Sequence, residues 1–585
     1  MKAIHKILAA GLAICALSAC NEKEYLTEQV YSLYSTENAL VSESDYQAMV
    51  NHLYFMIKRS NVFCATQDVT NQLRGCNDYA YYDSDVTWTN GVPAPKGGND
   101  IKNFLTPSNE KLHKAWPYVW DLICNANVVI SRIDGSSVPE ARKAVMKGEA
   151  LFARSWAYLF LANIYGGMPL LEEELAAPRR DYTRATREDT YKFALAGFSA
   201  AANLLPDIDK AGDGKANKQI CQHFMCECNI CIKDYTEAVK CADAVINYPG
   251  CSLMTKRFGK LADKPGDVYW DLFRNGNYNY SEGNHEGLFV YQVDYGNPAS
   301  LYDNNGDYDY FIRDYNCRYM KFNAKLNNTS GSVALFSSYA VAGLCGRAYG
   351  YLHPTDHFLI DIWKGMDGDI RNSEYNIMRD VRLNGDKTKL GDYYGKWLVK
   401  DGVLDEAIAN GFEPKAMFWW PFLTKVANTV YDWPENEKVS PLEPDEFYGF
   451  RTNEKNGNGL GRDHSHKDSY MARLAETYLL RAEANVLAGN PDKAAADINV
   501  LRDRANAPHV TGTVDIDYVL DERMRELYCE ETRTETLLRT GKFVERTKKY
   551  NDVTVGLETF NNLFPIPYDV IENNALATFE QNPGY

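Results

Sequence analysis

ANKQICQHFMCECNICIKDYTEAVKCADAVIN, residues 216–247, holds the densest run of ligand-type side chains in the chain, and how it is read decides the fold. It contains neither Gly nor Pro. Its polar break at Ile232-Lys233-Asp234 divides it into two helical halves. At about 100° per residue, Cys221, Phe224, Cys228 and Cys231 form one stripe and Cys226 points away from it. With a rise of ~1.5 Å per residue, Cys221 and Cys228 stand ~10 Å apart along the axis. Thiolates sharing a zinc through ~2.3 Å bonds must lie within about 4 Å of one another. His223 falls on another face. The four cysteines therefore read as small hydrophobes of a core helix, and the segment as an antiparallel helical hairpin. The same distance excludes a Cys221–Cys228 disulfide, whereas a pairing of Cys64 with Cys76 stays open.

A second block of the same form follows far downstream, Ser469 to Ala505, broken at Gly489-Asn490-Pro491. Asn490 is placed to cap the second helix, and Pro491 falls at its first position, where a missing donor does no harm. Small residues line both seams: Ala238, Cys241 and Val245 in one hairpin, Ala494, Ile498, Leu501 and Ala505 in the other. A third helix is expected over Ala141 to Tyr165, stopped by Gly166-Gly167 and Pro169. The expected fold is mainly α, a scaffold of tetratricopeptide-like hairpins separated in sequence rather than tandem. Long irregular segments with few short strands carry the binding surface: roughly Cys64 to Glu110, Pro265 to Leu352 and Gly365 to Arg462.

With 585 residues and a net charge of -16, the chain is long enough for one large body or several domains, and too acidic for a phosphate-neutralising surface. No nucleic-acid partner is expected. Its 40 Tyr and 10 Trp exceed what a core of this size needs and suit an exposed binding surface. At the N-terminus, Lys2, His5 and Lys6 precede the apolar run Ile7 to Leu17, which has the layout of a secretory signal and is too short to span a bilayer. The run ends in Leu17-Ser18-Ala19-Cys20, which resembles the lipobox of bacterial lipoproteins. That resemblance implies removal of residues 1–19, lipidation of Cys20 and a tether over 20–45.

Several stretches then resemble the RagB/SusD family of outer-membrane lipoproteins, surface components of glycan- and nutrient-uptake systems in the Bacteroidetes. They are HKAWPYVWDLICNANVVISRI (113–133), GEALFARSWAYLFLANIYGGMPLL (148–171), RLAETYLLRAEANVLAGNPDKAAADINVLRDRA (473–505), DERMRELYCEETRTETLLRTGKF (521–543) and LFPIPYDVIENNALATFEQNPGY (563–585). The resemblance implies an N-terminal helical region over 46–265, a loop-rich ligand and partner region over 266–465 and a C-terminal region over 466–585, together one compact body. It also implies an extracellular-facing, lipid-anchored protein that captures oligosaccharide and serves as the lid of a SusC-like TonB-dependent transporter. Two alternatives stay open: a peptide-binding lid of a RagA-like transporter, or a structural lid of little affinity. The cysteines of 216–247 and the loop regions depart from the family pattern, so the resemblance carries the fold and leaves the ligand undetermined.

Chemistry-bearing motifs are sparse. No Gly-x-Ser-x-Gly elbow, phosphate loop or His-Glu-x-x-His is present, and no enzymatic activity is expected. DNNGDYD (303–309) has the acid density of a calcium loop, with Asp303, Asp307 and Asp309 as candidate ligands. It lacks a bidentate Glu at the right spacing and its Gly306 comes early, so it reads as a solvated turn, and no cofactor is expected. His464 and His466 stand two apart without a third ligand and read as loop. The constellation that points to binding is aromatic. CNDYAYYDSDVTWTNG (76–91) sets Tyr81, Tyr82 and Trp88 among Asp85 and Asn90; LYDNNGDYDYFIRDYNCRYM (301–320) sets Tyr302, Tyr308 and Tyr310 beside Arg313. A sugar ring offers an apolar face and a rim of hydroxyls, which flat rings flanked by Asp, Asn or Arg can engage.

Overall fold

The structure, a computed structural model, describes residues 40–61, 83–89, 99–293 apart from 111 and 114, 311–336, 340–341, 344–345, 348, 350, 352–413, 421–426, 441–443, 447–448 and 467–585. Its body is helical: α1 (Glu43–Asn61), α2 (Ala115–Arg132), α3 (Glu140–Tyr165), α4 (Arg187–Leu204), α5 (Lys218–Cys231), α6 (Tyr235–Ile246), α7 (Leu474–Leu487), α8 (Pro491–Arg504), α9 (Ile516–Leu527), α10 (Arg533–Arg539) and α11 (Phe543–Tyr550). From α1 to α6 each helix packs on the next. The centre is α3, buried at every position from Gly148 to Tyr165. A helix apolar on all sides must be enclosed on all sides. Its close approach to α4 depends on Gly197, where an added Cβ would stand 2.1 Å from the Ser155 hydroxyl. Gly166 ends α3 at φ 88°, a conformation glycine adopts without penalty.

Side-chain caps set the start of several helices: Thr186 for α4, Asn217 for α5, Asp234 for α6 and Asp515 for α9 each accept the backbone N–H three residues on. The break in the cysteine-rich hairpin turns on Lys233, at φ 65°. In the second hairpin Pro491 opens α8 as expected, but the Asn490 side chain makes no capping bond and reaches instead toward the Ala488 carbonyl, 3.4 Å away.

The two hairpins, α5–α6 and α7–α8, meet although more than two hundred residues lie between them: α7 packs against both α5 and α6. Cys226, Ile230, Ala238, Ala242, Leu480 and Ala484 form the small core at this junction. On the opposite side of α5, Cys221, Phe224 and Cys228 enter the main core. The expected stripe is there, and the face turned away from it is buried too. Burial pushes the Cys226 and Cys228 thiols well up, and that of Cys231 to about 12. They sit in the core as neutral small side chains.

One expectation is corrected. Residues 469–473 do not begin a helix but form a strand, antiparallel to Gly287–Tyr291. Strands are numbered β1 (Thr87–Thr89), β2 (Gly287–Tyr291), β3 (Leu352–Pro354) and β4 (Ser469–Arg473). All five residues of β2 are buried, and β4 supplies their backbone partners; Leu474 N–H, the first of α7, still donates to the Glu286 carbonyl at 2.8 Å. Satisfying a buried edge overrides the helical pattern of SYMAR. Within the region expected to be loop-rich, residues between Cys317 and Phe422 gather around a second, smaller core. Among the described residues no helix is long and apolar enough to cross a membrane.

Candidate functional site

The segment DSDVTWT, residues 83–89, enters the body as a tight turn followed by a short strand. Ser84 N–H donates to the Thr87 carbonyl at 2.8 Å, closing the turn, and Asp83 takes φ 31° to allow it. From there β1 pairs antiparallel with β3, setting Trp88 opposite His353. The two rings lie face to face, with centroids 3.9 Å apart and planes 18° from parallel. His353 is buried and Trp88 half-buried, so the histidine is the floor on which the indole lies.

A three-residue strand cannot hold an aromatic ring by its own ladder. The segment is clamped from beneath. Asp85, with no side-chain exposure, accepts from Arg533 through Nε at 2.9 Å and Nη2 at 2.7 Å, and from Arg546 Nε at 2.6 Å. Asn551 donates to the Ser84 and Thr87 carbonyls at 2.9 and 3.1 Å. Thr355, next to β3, donates its hydroxyl to the Asp85 carbonyl at 2.7 Å and its N–H to the Val86 carbonyl at 2.8 Å. Burial opposes the charge on Asp85, but Arg533 and Arg546 outweigh it and hold the carboxyl below its ordinary value.

These arginines belong to a larger buried ionic network. Arg533 also donates to Glu531 at 2.8 Å, and Arg546 to Asp517 at 2.9 Å and to Asp521. Asp521 in turn faces His357 Nε2 at 3.1 Å, and the His357 ring stacks on Tyr550 at 3.6 Å. Burial works against the Asp521 charge; His357 and Arg546 bring its pKa down to about 2. The next residue of α9, Glu522, meets Arg371, Arg502 and Arg525, and Glu526, one turn further on, meets Arg371, Arg473 and Arg504. Such a lattice adds little net stability over an apolar core, but removing one member leaves charge stranded in the interior. It fixes geometry, and the geometry it fixes includes β1.

Of the residues expected to bind, Asp85 is corrected: its carboxylate faces inward and is fully engaged by arginine, because an unpaired surface carboxylate could not hold this turn. Trp88 stands on β1. Arg313 belongs to a short helix, Phe311–Tyr315, whose Ile312 and Tyr315 are buried and which packs against β3. The two aromatic stretches of the sequence are thereby joined through one strand, β3, which contacts β1 and this helix. Tyr81, Tyr82, Asn90, Tyr302, Tyr308 and Tyr310 lie outside the described residues, as do Asp303, Asp307, Asp309, His464, His466, Cys64, Cys76 and Cys20. Among the described residues no three His, Cys, Asp or Glu side chains gather as metal ligands. Sequence reading missed His353, Asn551 and the two clamping arginines. A signal was present in Asp521 to Glu535, where nine of fifteen residues are charged.

Comparison with known proteins agrees with this architecture. A model of the SusD family matches residues 424–585, and a second, described as starch-binding associating with outer membrane, matches residues 17–219. A stretch of 127 residues is 39% identical to the starch-binding protein SusD of Bacteroides thetaiotaomicron, a match spanning 20% of this chain and 22% of that protein. The fold superimposes on a laminarin-binding SusD-like protein with a TM-score of 0.64 at 17% identity, over 93% of this chain and 100% of the other. It also superimposes on surface glycan-binding protein A from Bacteroides uniformis, with a TM-score of 0.60 at 14% identity, over 92% and 99% of the two chains.

Proposed function

The chain belongs to the SusD/RagB family, and from that premise we propose that it is a cell-surface glycan-binding protein that captures oligosaccharide by equilibrium binding and breaks no bond. The observation that carries the reading is the Trp88 seat: a half-buried indole laid on His353 and clamped through Asp85, at the junction of the two aromatic stretches. A ring held rigidly loses little freedom on binding, and that favours stacking against the apolar face of a sugar. Relatives named for binding starch, laminarin and surface glycans support the same ligand class. Lipid on Cys20 would tether the body to the outer membrane, facing the exterior. There it would act as the lid of a SusC-like TonB-dependent transporter and pass captured oligosaccharide to it.

The test is incubation of the mature protein with a panel of polysaccharides, followed by calorimetry and by a reducing-sugar assay on the same samples. Saturable binding without new reducing ends is the expected outcome. Release of reducing ends would contradict a binding-only role, and heat exchanged with peptides but with no polysaccharide would contradict the ligand class.

A further inference from the structure

Helix α10 packs on α3, and at that contact two carboxyl groups from different helices meet a single amide. Asn163 of α3 has no exposed surface; its Nδ2 donates to Glu535 of α10 at 2.8 Å and to Glu227 of α5 at 3.0 Å, and its Oδ1 accepts from the Tyr191 hydroxyl of α4 at 2.9 Å. With its carbonyl committed to a tyrosine, the amide has only donors to turn toward the glutamates. The two carboxyl oxygens on Nδ2 lie less than about 6 Å apart, within the range where like charges alter one another's titration. Both side chains line one partly enclosed cavity of about 60 Å³ at the joint between α3, α5, α7 and α10. Two carboxylates sharing such a site do not both ionise cheaply, so the pair retains a proton.

The cations around the pair are largely committed elsewhere. Arg539 of α10 gives both terminal nitrogens to Glu483 of α7, at 2.6 and 2.8 Å, and stands 3.5 Å from Glu227. Arg523 of α9 gives Nε to Glu531 at 2.7 Å and Nη2 to Glu476 of α7 at 2.6 Å. Arg187 of α4 donates to the Ala162 and Asn163 carbonyls at 2.8 and 3.0 Å. Glu530, at the edge of the same cavity, is held by Lys425 and Arg473. Two groups of α5 add no charge: burial, with Arg523 nearby, takes the His223 imidazole down to about 3, and burial takes the Cys231 thiol up to about 12. Burial first and Glu227 second lift the Glu535 carboxyl to about 8, in accord with the shared amide.

α10 is also the helix that opens with Arg533, whose guanidinium holds Asp85 and, through it, the turn that carries Trp88. Glu535 and Arg533 stand two apart on a helix of seven residues, so a shift of one carries the other. We propose that Glu535 and Asn163 are positioning residues for the Trp88 seat: the protonated Glu535–Glu227 pair seats α10 against α3 and α5, and ionisation of both carboxyl groups loosens α10, draws Arg533 from Asp85 and weakens glycan binding. This rests on the glycan-binding reading above and adds to it a proton-dependent control of the same site. A folded value above the unfolded 4.5 means that the stabilisation is complete below pH 4.5 and is lost as pH rises through about 8. Affinity therefore declines on the alkaline side, whereas the Asp85 clamp by itself fails only below 3.8.

The mature protein is titrated between about pH 6 and about pH 9 with the best-bound neutral glycan of the panel, whose own charge is constant over that range. Wild type should weaken on the order of fivefold across it. Glu535→Gln keeps an oxygen for Asn163 and does not ionise, so it should hold its acid-side affinity throughout. Hydrogen exchange of peptides covering 83–89 and 533–539, corrected for the intrinsic effect of pH, reads the seat without any glycan. Exchange should rise with pH in wild type and stay level in Glu535→Gln. Equal pH profiles of the two proteins, in affinity or in exchange, would overturn the inference. If wild type binds a glycan with a flat pH profile, the control is refuted and the glycan-binding reading stands. If no glycan binds while exchange still rises with pH in wild type alone, the proton-dependent seat is supported and the glycan-binding reading falls.

Discussion

Replacing Asp85 by Asn removes one negative charge from between two buried guanidinium groups while keeping the shape of the side chain. Three hydrogen bonds to arginine are affected, at 2.9, 2.7 and 2.6 Å. Breaking a buried ion pair by removing one partner costs about 3–5 kcal/mol. The lower end applies here, because Arg533 keeps Glu531 and Arg546 keeps Asp517. At ~1.4 kcal/mol per factor of ten, ~3 kcal/mol raises local opening roughly a hundredfold. Hydrogen exchange with mass spectrometry reads this directly in peptides covering 83–89 and 352–357, where backbone bonds join β1 to β3. A control, Glu174→Gln, breaks a pair with Arg132 in which both side chains are 24% exposed, and should cost under ~1 kcal/mol. The Asp85 pKa is lowered on folding, so the clamp's contribution is present above the unfolded value of 3.8 and is lost only as pH falls below it. Exchange in D85N indistinguishable from wild type at pH 7 would show that the arginine clamp does not hold Trp88 in place.

Burial, aided by Glu227, lifts the Glu535 carboxyl to about 8, and burial, with Glu531 adding to it, lifts Glu476 to about 7. Folded-state values above the unfolded 4.5 mean that stability from these protons is complete below pH 4.5 and lost as pH rises toward 8. Melting temperature should therefore fall between pH 5 and pH 8, and Glu535→Gln should flatten that fall; an equal slope in both proteins would refute the assignment. Gly167→Ala would place a Cβ 1.9 Å from the Ala185 carbonyl oxygen, a backbone atom that cannot swing aside. Thermal denaturation should report a loss of ~1–3 kcal/mol, the range for overpacking. Cys221, Cys226 and Cys228 have no exposed surface, so a thiol reagent should label them only after unfolding. Rapid labelling of any of the three in the native protein would contradict the core reading of α5.

The helical hairpins were legible in the sequence because their determinants are local. A Gly-free, Pro-free run, a polar break and small residues at helical spacing specify α5–α6 without reference to anything else. What the sequence could not convey was that these hairpins, far apart in the chain, stack through Cys226 and Leu480, since contact between distant segments leaves no periodic trace. Ser469–Arg473 misled for the same reason: its conformation is decided by the unpaired edge of β2. At the site, Trp88 was recognisable as a ring among polar neighbours, while Asp85, three residues before it, looked identical to a surface ligand. Only the tertiary structure reveals that Arg533 and Arg546, more than four hundred residues later, claim its carboxylate. Charged residues announce surfaces in most sequences, and α9 is the exception that carried the scaffold's interior.

The central claim is that Trp88 is held ready to stack against a sugar. Isothermal titration of wild type, Trp88→Ala and Trp88→Phe against the best-bound glycan of the panel tests it most directly. Loss of a central stacking residue amounts to ~2 kcal/mol, roughly a thirtyfold weakening. The account predicts that loss in Trp88→Ala, partial recovery in Trp88→Phe and unchanged melting of both. Full wild-type affinity in Trp88→Ala would contradict it.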